Sequence, residues 1–371
     1  MPSLNQPPEP DQLEVSIFGP GVGECVVVHL GNSHWVVVDS CVECRSKRPI
    51  ALEYLEGLGL DPASTIKLIV VSHWHDDHIA GIAEILGIAK SAKVVCSAAL
   101  RRADFFTLVA SAERAMMESP GTAEFLRILK TLEERAPNGS RGGSVAPVWA
   151  IANSLLLRLE PPVVPLSTEV QALSPSHGAL SLAFQEIGQE FPKLGAVKRR
   201  TVAQSPNQVA IVVWMRIGDM RILLGSDLEE GKSPTLGWQA ILASDLRDGG
   251  LADVFKVPHH GSKNADSPTV WTKIVKQDPI AVVTPYASGA TPLPTLDDIS
   301  RLKRRTSRAY VTAPPTGWSP PRRSNSVERT VSEVVRNRRV ILGQMGHVRI
   351  RVHTTSLTSP RVDLFGTAQR L

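Results

Sequence analysis

His73-Trp74-His75-Asp76-Asp77-His78 follows directly on the apolar run Ile66-Lys67-Leu68-Ile69-Val70-Val71. Three imidazoles and the Asp77 carboxylate thus fall within one short turn at the end of a predicted buried strand. The C-terminal ends of such strands feed loops in which ligands converge on a cation, and imidazole with carboxylate is the donor set that zinc and related divalent metals prefer. The H-x-H-x-D-H spacing can place His73 and His75 on one metal and the Asp77–His78 pair on a second. A solvated polar turn in which three histidines meet by chance is the bland alternative. The strand before the turn and the partners further along the chain argue against it.

Three more polar residues or pairs end apolar runs. Asp39 closes Trp35-Val36-Val37-Val38, and a carboxylate there can accept from a ligand imidazole and fix its tautomer. Asp227 closes Leu223-Leu224-Gly225-Ser226, in position to bridge two cations. His259-His260-Gly261-Ser262 follows Val254-Phe255-Lys256-Val257-Pro258. One Asp after a strand is commonplace, but four polar strand ends carrying Asp, HxHxDH, Asp and HH in one chain are not.

With these pieces together, the chain resembles the metallo-β-lactamase fold hydrolases, and within them the hydrolase domain of ComEC-type DNA-uptake proteins. The resemblance runs from about Leu13 to Pro285 through Gly19–Glu24, Asp39, His73–His78, Asn207–Val213, Leu223–Asp227 and Lys256–Ser262. It implies an α/β fold, an αββα sandwich with the metal site at one edge. It implies one or two divalent ions, zinc or manganese, held by His73, His75, Asp77, His78, Asp227 and His259, with Asp39 behind them. His259 takes the ligand place by the family pattern H-x-G, leaving His260 to stabilise an oxyanion or protonate a leaving group.

The chain departs from the family in places. Many members supply a further His to the first metal before the GD motif; here Ser205-Pro206-Asn207-Gln208 stands there, and Asn207 is the amide-bearing substitute. His177 is a rival on a predicted surface turn. Glu24 replaces the usual Asp. ComEC itself is a membrane protein, whereas no apolar run in this sequence approaches bilayer length. His29, His34, His347 and His353 lie in strand-like runs without carboxylate company and read as structural or surface residues.

Length and composition agree with a large globular α/β protein: 371 residues, 42% hydrophobic and 21% charged. The N-terminus is polar and Pro-rich, unlike a signal peptide, and the expectation is a cytoplasmic protein without membrane contact. Of four cysteines, Cys25 and Cys96 sit in apolar runs; Cys41 and Cys44 have CxxC spacing but lack a second pair to complete a zinc cage. Residues 301–371 carry fifteen Lys and Arg against three acids, a net of +12, leaving −7 on the rest of the chain. That asymmetry suits a polyanionic partner on one side.

Residues 1–371 are expected to form one domain, with a helical insertion and mobile loop at 101–147 and a basic C-terminal part at 301–371 closing the fold. Strands are predicted at Leu13–Phe18, Glu24–Leu30, His34–Asp39, Lys93–Ser97, Val148–Leu159, Glu169–Leu173, Gln208–Ile217, Met220–Leu224, Asp253–Val257, Pro279–Thr284 and Ala309–Thr312. His347–Val352 and Arg361–Phe365 read as a closing hairpin, and Gly81 as a point of close backbone approach.

The functional expectation is a metal-dependent phosphodiesterase or nuclease, with DNA ranked above RNA, acting through a metal-activated hydroxide. Asp77, Asn207 and His260 are its candidate catalytic residues, and Lys198, Arg199, Arg200 and Lys263 its candidate phosphate contacts. Such an enzyme needs restraint, by the insertion as a lid or by a regulatory protein partner, and an antiphage role would suit that logic by analogy. The alternatives are a hydrolase of a small ester, lactone, cyclic nucleotide or peptide, and a non-catalytic metal-binding module.

Overall fold

The computed structural model describes residues 4–100, 120–135, 147–190, 206–244, 249–288, 291–314 and 345–371. In chain order, β1 (Gln12–Gly19), β2 (Cys25–His29), β3 (Trp35–Val38), β4 (Ile66–Val71), β5 (Lys93–Ser97) and β6 (Val148–Ala150) enter a first sheet. β7 (Ser154–Leu159), β8 (Thr168–Ala172), β9 (Val213–Ile217), β10 (Met220–Leu224), β11 (Ala252–Lys256), β12 (Val275–Val283) and β13 (Ala309–Val311) build a second. β14 (Gly346–His353) and β15 (Arg361–Phe365) then return to the first, and β16 (Gln369–Arg370) edges the second. The orders are β15-β14-β1-β2-β3-β4-β5-β6 and β16-β13-β12-β11-β10-β9-β8-β7.

Each sheet is buried on both faces, and that is why its inner strands read as unbroken apolar runs. In β3, Val36 and Val38 face the core between the sheets, whereas Trp35 and Val37 face the helices outside. In β4, Leu68 and Val70 point inward and Ile69 and Val71 outward. The inner core joins these to Val213, Met215, Ile222, Val254 and Val282 of the second sheet. The outer face of the first sheet carries the helices Ile50–Gly57, Ile82–Ile88 and Pro120–Arg135. That of the second carries Gly237–Leu242, Pro268–Lys273 and Leu296–Arg305. The architecture is an αββα sandwich.

The site lies where parallel strands end. β3, β4 and β5 run parallel, as do β10, β11 and β12, so their C-terminal ends open on one edge of the sandwich. Gly81, at φ +85°, lets the chain after the metal loop pass close to Pro49; a Cβ there would lie 2.7 Å from the proline ring.

Two expectations require correction. Val148–Leu159 is not one strand: Asn153 turns left-handed at φ 67° and carries the chain from β6 of the first sheet to β7 of the second. Gln208–Ile217 does not start as a strand, because Pro206–Val209 form a single 3-10 turn and regular pairing begins at Val213. Of the insertion at 101–147, the described part is the helix Pro120–Arg135. It packs Phe125, Ile128 and Leu132 into the outer core, and Glu124 caps the Ala83 amide at 3.0 Å. The loop at 138–144 lies outside the described residues. No helix among the described residues is long and apolar enough to cross a membrane.

Candidate metal centre

Asp77, His78, Asp227 and His260 bring one donor atom each into a common space. His260 Nε2 lies 3.1 Å from Asp77 Oδ2 and 3.4 Å from Asp227 Oδ2. His78 Nε2 lies 3.3 Å from Asp227 Oδ1 and 3.6 Å from Asp77 Oδ2. Tetrahedral ligands at about 2.1 Å from a cation sit about 3.4 Å from one another. These four separations, which engage both oxygens of Asp227, are close to the edge length of such a shell. His78 Nε2 and Asp227 Oδ1 are buried and make no hydrogen bond among the described residues, an arrangement that costs free energy unless a cation takes both. The residues fit a divalent ion.

A second group adjoins the first and shares Asp227: His73 Nε2 and His75 Nδ1 are 3.1 Å apart, and both approach the Asp227 carboxylate. Polar groups behind the ligands turn them inward. Asp39 Oδ2 accepts from His78 Nδ1 at 2.8 Å, which leaves the Nε2 lone pair facing the cluster. Asp39 is itself held by the Ser72 amide at 2.7 Å and the Ser72 hydroxyl at 2.6 Å. Ser72 Oγ in turn faces His73 Nδ1 at 3.0 Å. His260 Nδ1 donates to the Thr284 carbonyl at 2.9 Å, and its ring stacks on Tyr286 at 5.3 Å.

Several of these residues occupy the left-handed region: Asp39 at φ 57°, Ser226 at 45°, His259 at 46° and His260 at 53°. Strain of this kind persists only where surrounding contacts over-determine it. Here Ser226 O accepts from the His259 amide at 2.9 Å and from Lys256 Nζ at 3.2 Å, and Arg301 donates to Gly261 O at 2.8 Å. Lys256, at 1% exposure, also pairs with Glu24, whose carboxylate accepts from Thr284 Oγ1 at 2.6 Å and lies 3.6 Å from His78 Nδ1.

The electrostatics call for positive charge. Burial opposes ionisation of His260, yet the Asp227 and Asp77 carboxylates outweigh it and push its pKa up to about 10. His78 is likewise raised well above the ordinary value, against burial, by Asp227, Glu24 and Asp77. Asp227 is held well below the usual range, against its own burial, by His260 and His78. His73 goes the other way: burial and the neighbouring His78 drive it well down, keeping its ring neutral and available as a donor.

The adjacent imidazoles exchange the places expected of them. His260, not His259, is the ring that stands with Asp77, His78 and Asp227. His259 turns to Asn207 Nδ2 at 3.3 Å and Asn264 Oδ1 at 3.0 Å, on the wall of a cavity of about 650 Å³. Asn207, 6% exposed, lies beside His259 and Glu229. His177 is exposed at the start of the helix His177–Glu190, and Lys263 is exposed just past the HHGS turn. Lys198, Arg199 and Arg200 lie outside the described residues. Glu229 and Asn264, which hold His259, went unmarked in the sequence, where an acid two residues after Asp227 looks like any surface carboxylate.

The class that this fold and donor set define is the metal-dependent hydrolases. The family model of the metallo-beta-lactamase superfamily matches residues 18–266, and the chain belongs to that superfamily, whose members use one or two divalent metals, usually zinc. Among solved structures the chain is similar to the metallo-beta-lactamase fold protein YhfI from Bacillus subtilis, with 12% identity over 83% of this chain and 98% of that one, at a TM-score of 0.38. It is also similar to a metallo-beta-lactamase with a HARLDQ motif from Cronobacter sakazakii, with 15% identity, 65% and 73% coverage and a TM-score of 0.33. A subclass B3 enzyme, MEM-A1, from a soil metagenome library gives 16%, 70%, 83% and 0.33. No curated protein matches significantly.

Proposed function

We propose that the protein is a metal-dependent phosphodiesterase acting on nucleic acid, DNA before RNA. The observation that carries the hydrolase reading is the quartet Asp77, His78, Asp227 and His260, with imidazole–carboxylate separations of 3.1 to 3.6 Å, beside a cavity and next to the His73–His75 pair. In this assignment His260 replaces His259 among the ligands, His73 and His75 would hold a first cation, and Asp227 would contribute to both groups. Bound cations of this kind lower the pKa of water to near 7 and polarise a phosphoryl oxygen.

The chain's own residues supply the rest. Asp39 and Thr284 O fix the rotation of His78 and His260. His259 faces the cavity, and exposed Lys263, four residues further along the chain, is the proposed phosphate contact. The ComEC-like run of motifs and the net +12 of residues 301–371 support a polyanionic substrate, and the restraint that a free nuclease needs points to a regulatory protein partner.

One observation favours a second reading. The described lining of the cavity contains no Lys or Arg, and Val22, Val42 and Leu293 contribute apolar surface, which suits a small neutral ester or lactone. Zinc- or manganese-loaded protein offered circular DNA, linear DNA, RNA, bis(p-nitrophenyl) phosphate and a chromogenic ester separates the two. Hydrolysis of the phosphodiesters, lost in Asp77→Asn, is the expected result. Turnover of the ester alone sinks the nuclease reading, and failure of the purified protein to bind metal sinks both.

A further inference from the structure

Glu24, just before β2 of the first sheet, and Lys256, at the end of β11 of the second, form an ion pair that supplies no donor to the quartet. Their exposures are 2% and 1%. Stability alone does not account for such a pair. Desolvating two charges offsets much of their attraction, and apolar side chains of similar volume often serve a fold as well.

The contacts of the pair lead to every member of the quartet. The Glu24 amide donates to Asp77 O at 2.9 Å, and Glu24 Oε1 lies 3.6 Å from His78 Nδ1. Glu24 Oε2 accepts from Thr284 Oγ1 at 2.6 Å, and the carbonyl of the same threonine accepts from His260 Nδ1 at 2.9 Å. Lys256 Nζ donates to Ser226 O at 3.2 Å, directly before Asp227, where the backbone is left-handed at φ 45°. Asp77 and His78 follow β4 of the first sheet, whereas Asp227 and His260 follow β10 and β11 of the second. Donors from two sheets converge on one cation only if the two sheet edges are held at a fixed distance there. Apolar packing between the sheets is non-directional, but hydrogen bonds and a charge pair fix both distance and direction.

We infer that Glu24 and Lys256 are positioning residues: their pair clamps the ligand-bearing strand ends of the two sheets together and so sets the metal affinity and ligand geometry of the quartet. Neither residue touches a cation or a substrate in this role. The inference rests on the quartet being the metal site and is independent of what the protein hydrolyses.

The test separates the clamp from its effect on folding. Zinc affinity is measured by competition with a chromogenic chelator. The visible absorption of cobalt(II)-loaded protein reports the number and arrangement of ligands. Both are read at a temperature where circular dichroism shows each variant folded. Lys256→Met leaves Glu24 uncompensated, and adding Glu24→Gln removes that charge, so the double variant recovers stability. It does not recover the tie to Ser226 O, because Met donates nothing. Zinc affinity is therefore expected to fall about 10- to 100-fold in the double variant, with altered cobalt bands. Thr284→Val keeps the ion pair and the carbonyl that holds His260 but removes the hydroxyl from Glu24; its expected loss is about 10-fold. Arg351→Met breaks the buried pair with Glu14 toward the opposite end of β1 and controls for lost stability, with zinc affinity expected to stay at the wild-type value.

A double variant whose zinc affinity and cobalt bands return to wild type along with its stability overturns the inference. So does an equal loss of affinity in Arg351→Met. Should the double variant not fold, Thr284→Val decides: unchanged affinity and bands there overturn the clamp. Wild type that binds no zinc fails the reading of the quartet as a metal site, a result distinct from wild-type binding that the variants leave untouched.

Discussion

Asp227 is the residue on which both halves of the centre meet, and it is flanked by Ser226 in left-handed backbone at φ 45°. Its buried Oδ1 has no hydrogen-bond partner among the described residues, and its neighbours are two imidazoles driven toward protonation by the carboxylates around them. Asp227→Asn is expected to weaken metal binding by at least tenfold and to abolish most hydrolysis, read by metal content after dialysis and by turnover of bis(p-nitrophenyl) phosphate. Far from the centre, His29 gives a pH prediction. Its Nδ1 donates to Gln12 O at 2.7 Å and its Nε2 accepts from the Ser33 amide at 3.1 Å, so both nitrogens are committed in the neutral ring. Burial lowers its pKa from 6.5 to about 4. Above pH 6.5 neither the folded nor the unfolded ring binds a proton and the group is silent. As pH falls toward 4 the unfolded ring protonates first, so stability is lost across that window, by roughly 3 kcal/mol at its lower end. Urea unfolding of wild type and His29→Gln across this range should show the acid loss reduced in the variant.

At the scale of elements, the turns after the parallel strands decide the site more than the strands do. Pro258–Ser262 keeps two consecutive non-glycine residues left-handed, and Arg301, on the helix Leu296–Arg305, holds Gly261 O while pairing with Asp266 and Asp298. That helix opens with a Thr295–Asp298 capping box, a signal present in the sequence that a strand-centred reading leaves unassigned. At the same edge of the sandwich, the start of β14 approaches the end of β13 so closely that a Cβ on Gly346 would lie 1.5 Å from Thr312 O. Gly346→Ala is expected to destabilise the protein by about 3 kcal/mol, measured by urea unfolding, because backbone rather than a flexible side chain would have to move. The break between β6 and β7 was hidden because Ile151-Ala152-Asn153 contains neither Gly nor Pro, and only Asn153 tolerates the left-handed turn. The start of β9 was misread because Asn207 and Gln208 turn toward Glu229 in a segment whose apolar neighbours suggest a strand.

Across the whole molecule, the two sheets are joined at the site by a buried ion pair, Lys256 of β11 with Glu24 just before β2. Removing one member leaves the other charge uncompensated in a low-dielectric interior. Lys256→Met should therefore cost about 3–5 kcal/mol, and Glu24→Gln with Lys256→Met together much less than the sum of the single variants. Thermal or urea unfolding of the four proteins closes that cycle. Metal binding adds stability on the same scale: free zinc at about 100 times its Kd stabilises the folded state by about 2.7 kcal/mol. The melting temperature is accordingly expected to rise with added zinc and fall with chelator; one indifferent to both would refute the fit of the quartet to a cation.

The αββα sandwich and the types of group gathered at its edge were legible in the sequence. Strands buried on both faces must be written as continuous apolar runs, and a polar residue that ends such a run marks where the chain leaves the core. That rule alone located Asp39, the 73–78 turn, Asp227 and the HH pair. It could not separate His259 from His260, because neighbouring side chains leave a strained turn in directions set by contacts distant in sequence. Thr284 O claims His260, and Asn264, oriented by Glu229, claims His259. Strand ends are a local property of the chain, whereas the rotation and tautomer of a ring depend on hydrogen-bond partners that only tertiary packing brings within 3 Å.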